Sequence, residues 1–298
     1  MPFPILSMNF ERGSRRLATL VLCLIAAVTA QAQVVSGTVT EAASQQGVPF
    51  ANIGILGKGI GTVADDTGAF QLKYSEANLN DTVRVSSIGY RAQRLLLRDL
   101  LARPTVRLAE EAVTLREVKV KAKGLYKRTR TLGNTGNASG TINLSASDLG
   151  AEIGTVIRLK HTPTKVLTAN FNVAYNRAGS LTYRVNLYRL LPNGQPSNVK
   201  LVQRDIIVTS GVTEGPITVD LTADHLVLEE DFFLALEWIG GADVKKVSNQ
   251  LAFTASVGYT NNDLYIRKTS QGVWERQSVG AYLAGMQPRA SFYVMVQD

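Results

Sequence analysis

Thiol chemistry is almost missing from this sequence. Its one cysteine, Cys23, lies in an amino-terminal segment expected to be removed, which leaves no disulfide, no thiolate metal ligand and no thiol nucleophile. Imidazole is nearly as scarce. His161 and His225 fall in different expected elements with no acidic partner at ligand spacing, so they read as turn or strand-end residues. A zinc hydrolase needs clustered His and carboxylate ligands with one position left for water, and that cluster is not here. No serine sits in a G-x-S-x-G elbow. The glycine-rich run 54–61 (GILGKGIG) lacks the Lys-Ser/Thr ending and following helix of a phosphate loop, so a β-turn is expected there. Asp65-Asp66 lacks the further oxygen ligands of a calcium loop, and Glu229-Glu230-Asp231 reads as a solvated loop before a strand. No catalytic, cofactor-binding or metal-binding residue is assigned, no cofactor is expected, and the expected class is not an enzyme.

Long apolar runs are missing too, apart from one. Residues 17–30 (LATLVLCLIAAVTA) follow Arg12, Arg15 and Arg16 and precede Ala30-Gln31-Ala32, the order of a secretory signal with a small-x-small cleavage site. About 14 apolar residues fall short of the roughly 20 that a membrane-crossing helix needs. Residues 1–32 are therefore expected to be a cleaved signal peptide. Leu22 precedes Cys23 where a lipobox would have a small residue, which argues against a lipid anchor. The expected location is the periplasm, the outer membrane or the cell surface.

The net charge of +8 is concentrated. Beyond residue 32, 29 basic and 23 acidic residues remain, a net +6, and residues 115–130 alone hold seven basic residues against Glu117. Lys119, Lys121, Lys123, Lys127, Arg128 and Arg130 in that stretch are candidate contacts to an anionic envelope surface, weighed against an ordinary solvated linker. Without a basic face interleaved with aromatics, and with export expected, no nucleic-acid partner is expected.

What fills the rest is β pattern: short runs of Val, Ile, Thr, Tyr and Phe between Gly, Asn, Asp and Pro. Strands are expected at 35–40, 50–56, 69–74, 82–88 and 93–97, with a turn at Asp65-Asp66-Thr67-Gly68. The succession Ser36-Gly37-Thr38-Val39, Gly47-Val48-Pro49-Phe50-Ala51-Asn52-Ile53, Gly61-Thr62-Val63-Ala64-Asp65-Asp66-Thr67-Gly68-Ala69-Phe70 and Val85-Ser86-Ser87-Ile88-Gly89-Tyr90 resembles the carboxypeptidase regulatory-like domain over residues 33–110. That resemblance implies a small transthyretin-like β-sandwich, common in exported and outer-membrane proteins of the Bacteroidetes. It implies an accessory module beside metallocarboxypeptidase domains or ahead of TonB-dependent receptors, with no catalytic residue of its own. Residues 115–120 (LREVKV) resemble the strand leading to a receptor plug, but too few residues follow for a plug and barrel, so a receptor is not expected.

Residues 111–150 read as a connector, basic and then rich in Gly, Ser and Asn, with one candidate strand. Residues 151–298 are expected to form a larger, jelly-roll-like β-sandwich of nine or ten strands, making the whole chain all-β. In the strand at 181–188, Leu181, Tyr183, Val185 and Leu187 define a packed face. Thr182, Arg184, Asn186 and Tyr188 define a face expected to meet water. The strand at 232–239 is apolar on both sides and expected to be central, with Trp238 in the core. Trp274, Tyr259, Tyr265 and Tyr282 are candidate ligand contacts, a stacking surface for sugar rings weighed against ordinary packing. The expected function is an exported, non-enzymatic binding or structural module that presents a sandwich surface to a protein or glycan partner at the cell envelope. The alternatives are a carbohydrate-binding module or a sandwich-fold glycan-active enzyme.

Overall fold

A computed structural model describes residues 33–111, 126–136, 140–143, 149–241, 250–258, 263–278 and 287–298. The first sandwich is built from β1 (Gln33–Glu41), β2 (Asn52–Ile55), β3 (Gly61–Val63), β4 (Ala69–Tyr74), β5 (Thr82–Ser86), β6 (Gln93–Leu96), a short helix Leu97–Ala102, and β7 (Thr105–Leu108). One sheet has the order β4-β1-β7, with β1 and β7 parallel, and the other has the order β3-β2-β5-β6. Period-two alternation sends Val39, Ile53, Ile55, Leu72, Val83, Val85 and Leu108 into a shared core closed by Leu97 and Leu100 of the helix.

The turn before β4 shows why Asp and Gly are needed there. Asp65 Oδ1 accepts hydrogen bonds from Thr67 N at 2.9 Å, Thr67 Oγ1 at 2.7 Å and Ala69 N at 2.9 Å. Gly68 follows at φ +85°, where a Cβ would come within 2.5 Å of the Val39 oxygen.

The rest of the chain supplies β8 (Thr129–Gly133), β9 (Gly140–Asn143), β10 (Glu152–Ile157), β11 (Thr164–Asn176), β12 (Leu181–Leu190), β13 (Pro196–Lys200), β14 (Ile206–Ser210), β15 (Gly215–Asp220), β16 (Val227–Leu228), β17 (Phe232–Gly240), β18 (Leu251–Gly258), β19 (Leu264–Arg267), β20 (Glu275–Arg276), β21 (Gln287–Ala290) and β22 (Phe292–Gln297). They form a seven-stranded sheet, β13-β12-β17-β10-β19-β20 with β14 on β12. They also form an eight-stranded sheet, β21-β18-β11-β22-β8 with β15 and β16 on β11 and β9 on β18. Between the sheets lies a continuous core that includes Ile153, Phe171, Leu187, Leu234, Trp238, Phe253 and Phe292.

The chain is therefore the expected all-β fold, but three details differ from expectation. The Gly/Ser/Asn-rich connector supplies two strands, β8 and β9, which pair with β22 and β18 of the second sandwich. Among the described residues the second sandwich has more strands than the nine or ten expected, because β13, β16 and β21 are short strands additional to the expected stretches. Most consequentially, the polar face of β12 meets water only at Thr182. Arg184, Asn186 and Tyr188 are each at most 1% exposed. Arg184 reaches the Phe50 carbonyl of the first sandwich, Asn186 lies between Glu152 and Glu237, and Tyr188 packs edge-on to Trp274 at 5.8 Å.

Candidate binding cleft

β2 turns Ile53 and Ile55 into the first core, which leaves Asn52 and Gly54 facing the second sandwich; β5 likewise buries Val83 and Val85 and presents Arg84 and Ser86. Gly54, Gly59 and Gly61 of the 54–61 run let the two surfaces approach. A Cβ on Gly54 would lie 3.0 Å from Gln271 Cγ, and one on Gly61 would lie 2.7 Å from the Ile53 oxygen and 3.0 Å from Thr269 Cβ. These glycines thus belong to a docking hairpin, and their spacing has a packing cause. Hydrogen bonds cross the same junction. Arg184 Nη2 donates to the Phe50 oxygen at 2.5 Å, Gly57 N to the Gln271 oxygen at 3.0 Å, and Arg84 Nη1 to Gln271 Oε1 at 3.1 Å. Phe50 holds φ +52°, a left-handed conformation costly for a bulky residue, and its carbonyl is the one that meets Arg184.

Beneath this junction the seven-stranded sheet carries a row of charges. Register places Arg184 of β12 opposite Glu237 of β17, Glu237 opposite Glu152 of β10, and Glu152 opposite Arg267 of β19. All four side chains are at most 1% exposed. Arg184 Nη1 donates to Glu237 Oε2 at 3.0 Å, and Arg267 donates to Glu152 Oε1 from Nε at 2.9 Å and from Nη2 at 2.5 Å. Asn186 Nδ2 bridges the two carboxylates, at 2.9 Å from Glu237 and 3.3 Å from Glu152. Tyr188 Oη donates to Glu152 at 2.9 Å and accepts from Arg267 at 2.7 Å. With its amide nitrogen turned toward the carboxylate, Asn52 donates to Glu237 Oε1 at 2.8 Å and accepts from Arg184 Nη1 at 2.9 Å, tying the first sandwich into the row. Buried charges persist only when paired and hydrogen-bonded, and these are.

The environment splits the two carboxyls. Burial pushes Glu152 up, with Glu237 adding to the push and Arg267 only partly opposing it. Burial would also raise Glu237, but Arg184, Lys200 and the Asn186 amide outweigh it and hold that carboxyl below its ordinary value. Lys200 is lowered by burial and by Arg184.

Above the row opens a cavity of about 420 Å³, whose lining includes Asn52, Arg84 and Arg94 from the first sandwich and Arg184, Lys200 and Arg267 from the second. Asn198 and Asp205 also line it; Arg267 Nη1 donates to Asn198 Oδ1 at 2.7 Å, and Arg184 Nε lies 3.0 Å from Asp205 Oδ1. Glu152 and Glu237 do not reach its wall. Among the described residues, no group of three or more His, Cys, Asp or Glu could hold a metal ion.

The residues singled out from sequence are placed differently. Tyr265 is only 2% exposed and offers no ring face to a sugar, because it packs edge-on to Phe233 at 5.8 Å. Trp274 packs against Phe233 at 4.8 Å, and the Arg267 guanidinium lies over its ring at 4.1 Å, so it braces the charge row instead of joining an exposed strip. Tyr259 and Tyr282 lie outside the described residues, as do Lys119, Lys121 and Lys123. Lys127 and Arg128 are exposed, while Arg130 is paired with Asp298 at 2.9 Å. His161 and His225 are exposed loop residues. The cleft residues were missed, although an isolated Glu inside the apolar run FFLALEWIG and a lone Arg ending LYIR were visible signals.

A comparison with curated proteins gives no match. Among solved structures, the chain is similar to the clostridial cysteine protease Cwp84 after propeptide cleavage, at 10% identity and a TM-score of 0.42 over 80% of this chain and 51% of that one. It is also similar to the cysteine protease and lectin-like domains of Cwp84, a surface layer associated protein of Clostridium difficile. That match has 11% identity and a TM-score of 0.40, over 80% of this chain and 46% of the other. The chain thus spans about half the length of these structures, and likenesses this distant assign it no function. The CarboxypepD_reg-like domain family matches residues 35–120, so the amino-terminal part of this chain is similar to a carboxypeptidase regulatory-like domain.

Proposed function

We infer that the chain is an exported, non-catalytic glycan-binding module of the cell envelope, in which the regulatory-like sandwich is docked on the larger one and the cleft between them receives the ligand. The lining of the cleft carries this reading. A concave space of about 420 Å³ walled by Asn52, Ser86, Asn198, Ser270, Gln271 and several cations suits a hydroxyl-rich ligand better than a protein surface, which favours flatter and more apolar contacts. Export rests on the signal-like order of residues 12–32.

One observation favours a glycan-active enzyme instead. Two neighbouring carboxyls pushed in opposite directions, Glu152 up and Glu237 down, are the pattern of an acid and base pair. Against it, a general acid must come within hydrogen-bond reach of the substrate, and both groups are enclosed and held by arginines.

Incubating the purified protein with acidic and neutral oligosaccharides, with calorimetry for binding and mass spectrometry for products, separates the two. Saturable binding with the oligosaccharide recovered intact is expected. Shortened products that disappear in Glu152→Gln would establish the enzyme reading.

A further inference from the structure

The charges around the cleft do not balance. Arg184, Arg267 and Lys200 are matched in number by Glu237, Glu152 and Asp205. Arg84 and Arg94 are left over, and among the described residues neither forms an ion pair. Arg84 instead donates to Ser86 Oγ at 2.9 Å and Gln271 Oε1 at 3.1 Å, which are neutral acceptors.

Register makes the surplus more pointed. Arg84 of β5 stands directly opposite Arg94 of β6 in the antiparallel ladder, so both side chains leave the sheet on the same side, and both line the cavity. Like charges at directly opposed positions destabilise a strand pair. Burial and the neighbouring Arg94 each disfavour the charged form of Arg84. Nothing in the packing of the first sandwich calls for two arginines here, since its core uses Val83, Val85 and Leu95 from these strands. An anion between two guanidinium forks relieves the repulsion and gains charge-assisted hydrogen bonds.

We propose that the Arg84–Arg94 pair seats an anionic group, a carboxylate, sulfate or phosphate borne by an acidic glycan, and that this seat selects which glycans enter the cleft. The proposal rests on the cleft being the ligand site.

The test uses calorimetric titration of the purified protein with trigalacturonate, its neutral methyl ester, inorganic sulfate and inorganic phosphate. Two variants accompany the wild type: Arg94→Ser removes half of the seat, and Ser87→Trp fills the cleft without removing a charge. Trigalacturonate is expected to bind at least about tenfold more tightly than its ester and to lose about tenfold in Arg94→Ser. Binding of sulfate or phosphate that Arg94→Ser weakens, with no uronate binding, would support the seat and assign it to a sulfated or phosphorylated glycan. Without ligand, Arg94→Ser is expected to unfold at the same temperature as the wild type or higher. A lower midpoint would make Arg94 structural and overturn the proposal. Equal affinity for acid and ester, or no binding of any probe, would also overturn it. If acid and ester bind equally and Ser87→Trp abolishes both, the anion seat falls and the cleft survives. If Ser87→Trp changes neither, the cleft reading falls with it.

Discussion

Glu152 and Glu237 stand directly opposite one another on adjacent strands of the larger sandwich, fully buried, each held by an arginine on its far side and both touched by the Asn186 amide. Two facing carboxylates are tolerable only because Arg184 and Arg267 complete the row, so the four residues should behave as a unit.

Arg267→Met leaves Glu152 without its counter-charge and removes the cation from the face of Trp274. A loss of about 3–5 kcal/mol in urea denaturation is expected, as for other buried pairs broken on one side. Adding Glu152→Leu should restore part of that loss, because removing both charges leaves none unpaired. A double variant as unstable as the two single losses added together would show that the residues act independently.

Tyr188→Phe deletes the hydroxyl that donates to Glu152 and accepts from Arg267, with almost no change in volume. The expected cost is about 1–3 kcal/mol, since both partners are charged and buried. A neutral result by the same denaturation assay would mean that water replaces the hydroxyl.

Gly61→Val puts a branched side chain where a Cβ alone would lie 2.7 Å from the Ile53 oxygen and 3.0 Å from Thr269 Cβ. Overpacking of this kind should cost about 1–3 kcal/mol and weaken ligand binding by shifting the cleft walls. Gly140→Ala, where a Cβ meets nothing within 4 Å, is the matched control and should be close to neutral.

The Asp65 turn gives a pH dependence. Burial is the largest single influence on the Asp65 carboxyl and raises it, but the Thr67 hydroxyl and the Ala69, Thr67 and Gly68 amides together outweigh it and hold the group below the ordinary carboxylate value. A depressed folded-state pKa means that the stabilisation is present above the unfolded pKa and lost as pH falls through the folded one. Asp65→Ala should therefore be less stable than wild type at neutral pH, by about 1 kcal/mol, and the gap should close only in acid. A gap unchanged down to about pH 2, well below an ordinary aspartate pKa, would point to a purely conformational cause.

Much of this architecture was legible from period-two alternation. β5, with Val83 and Val85 between Thr82, Arg84 and Ser86, and β17, apolar on both faces, were readable because burial sorts side chains every second residue. The cleft was not readable, for a specific reason. Arg84, Arg94, Arg184, Lys200 and Arg267 are spread over most of the chain and come together only through strand register and docking, while a scan for local charge sees only the 115–130 stretch. Arg184, Asn186 and Tyr188 looked like a solvated face because alternation reports two faces but does not say what covers the second. Trp274 looked like a ligand platform because an aromatic in a hairpin gives no sign of the buried arginine it will cover.

The most direct test of the cleft as the ligand site is hydrogen–deuterium exchange of the purified protein with and without a bound acidic oligosaccharide. Slowed exchange is predicted in β5, in β6, in residues 196–200 and in residues 268–272, the strands and loop that wall the cavity. Slowing confined to residues 127–130 or to the hairpin around Trp274, with those four segments unchanged, would contradict the account.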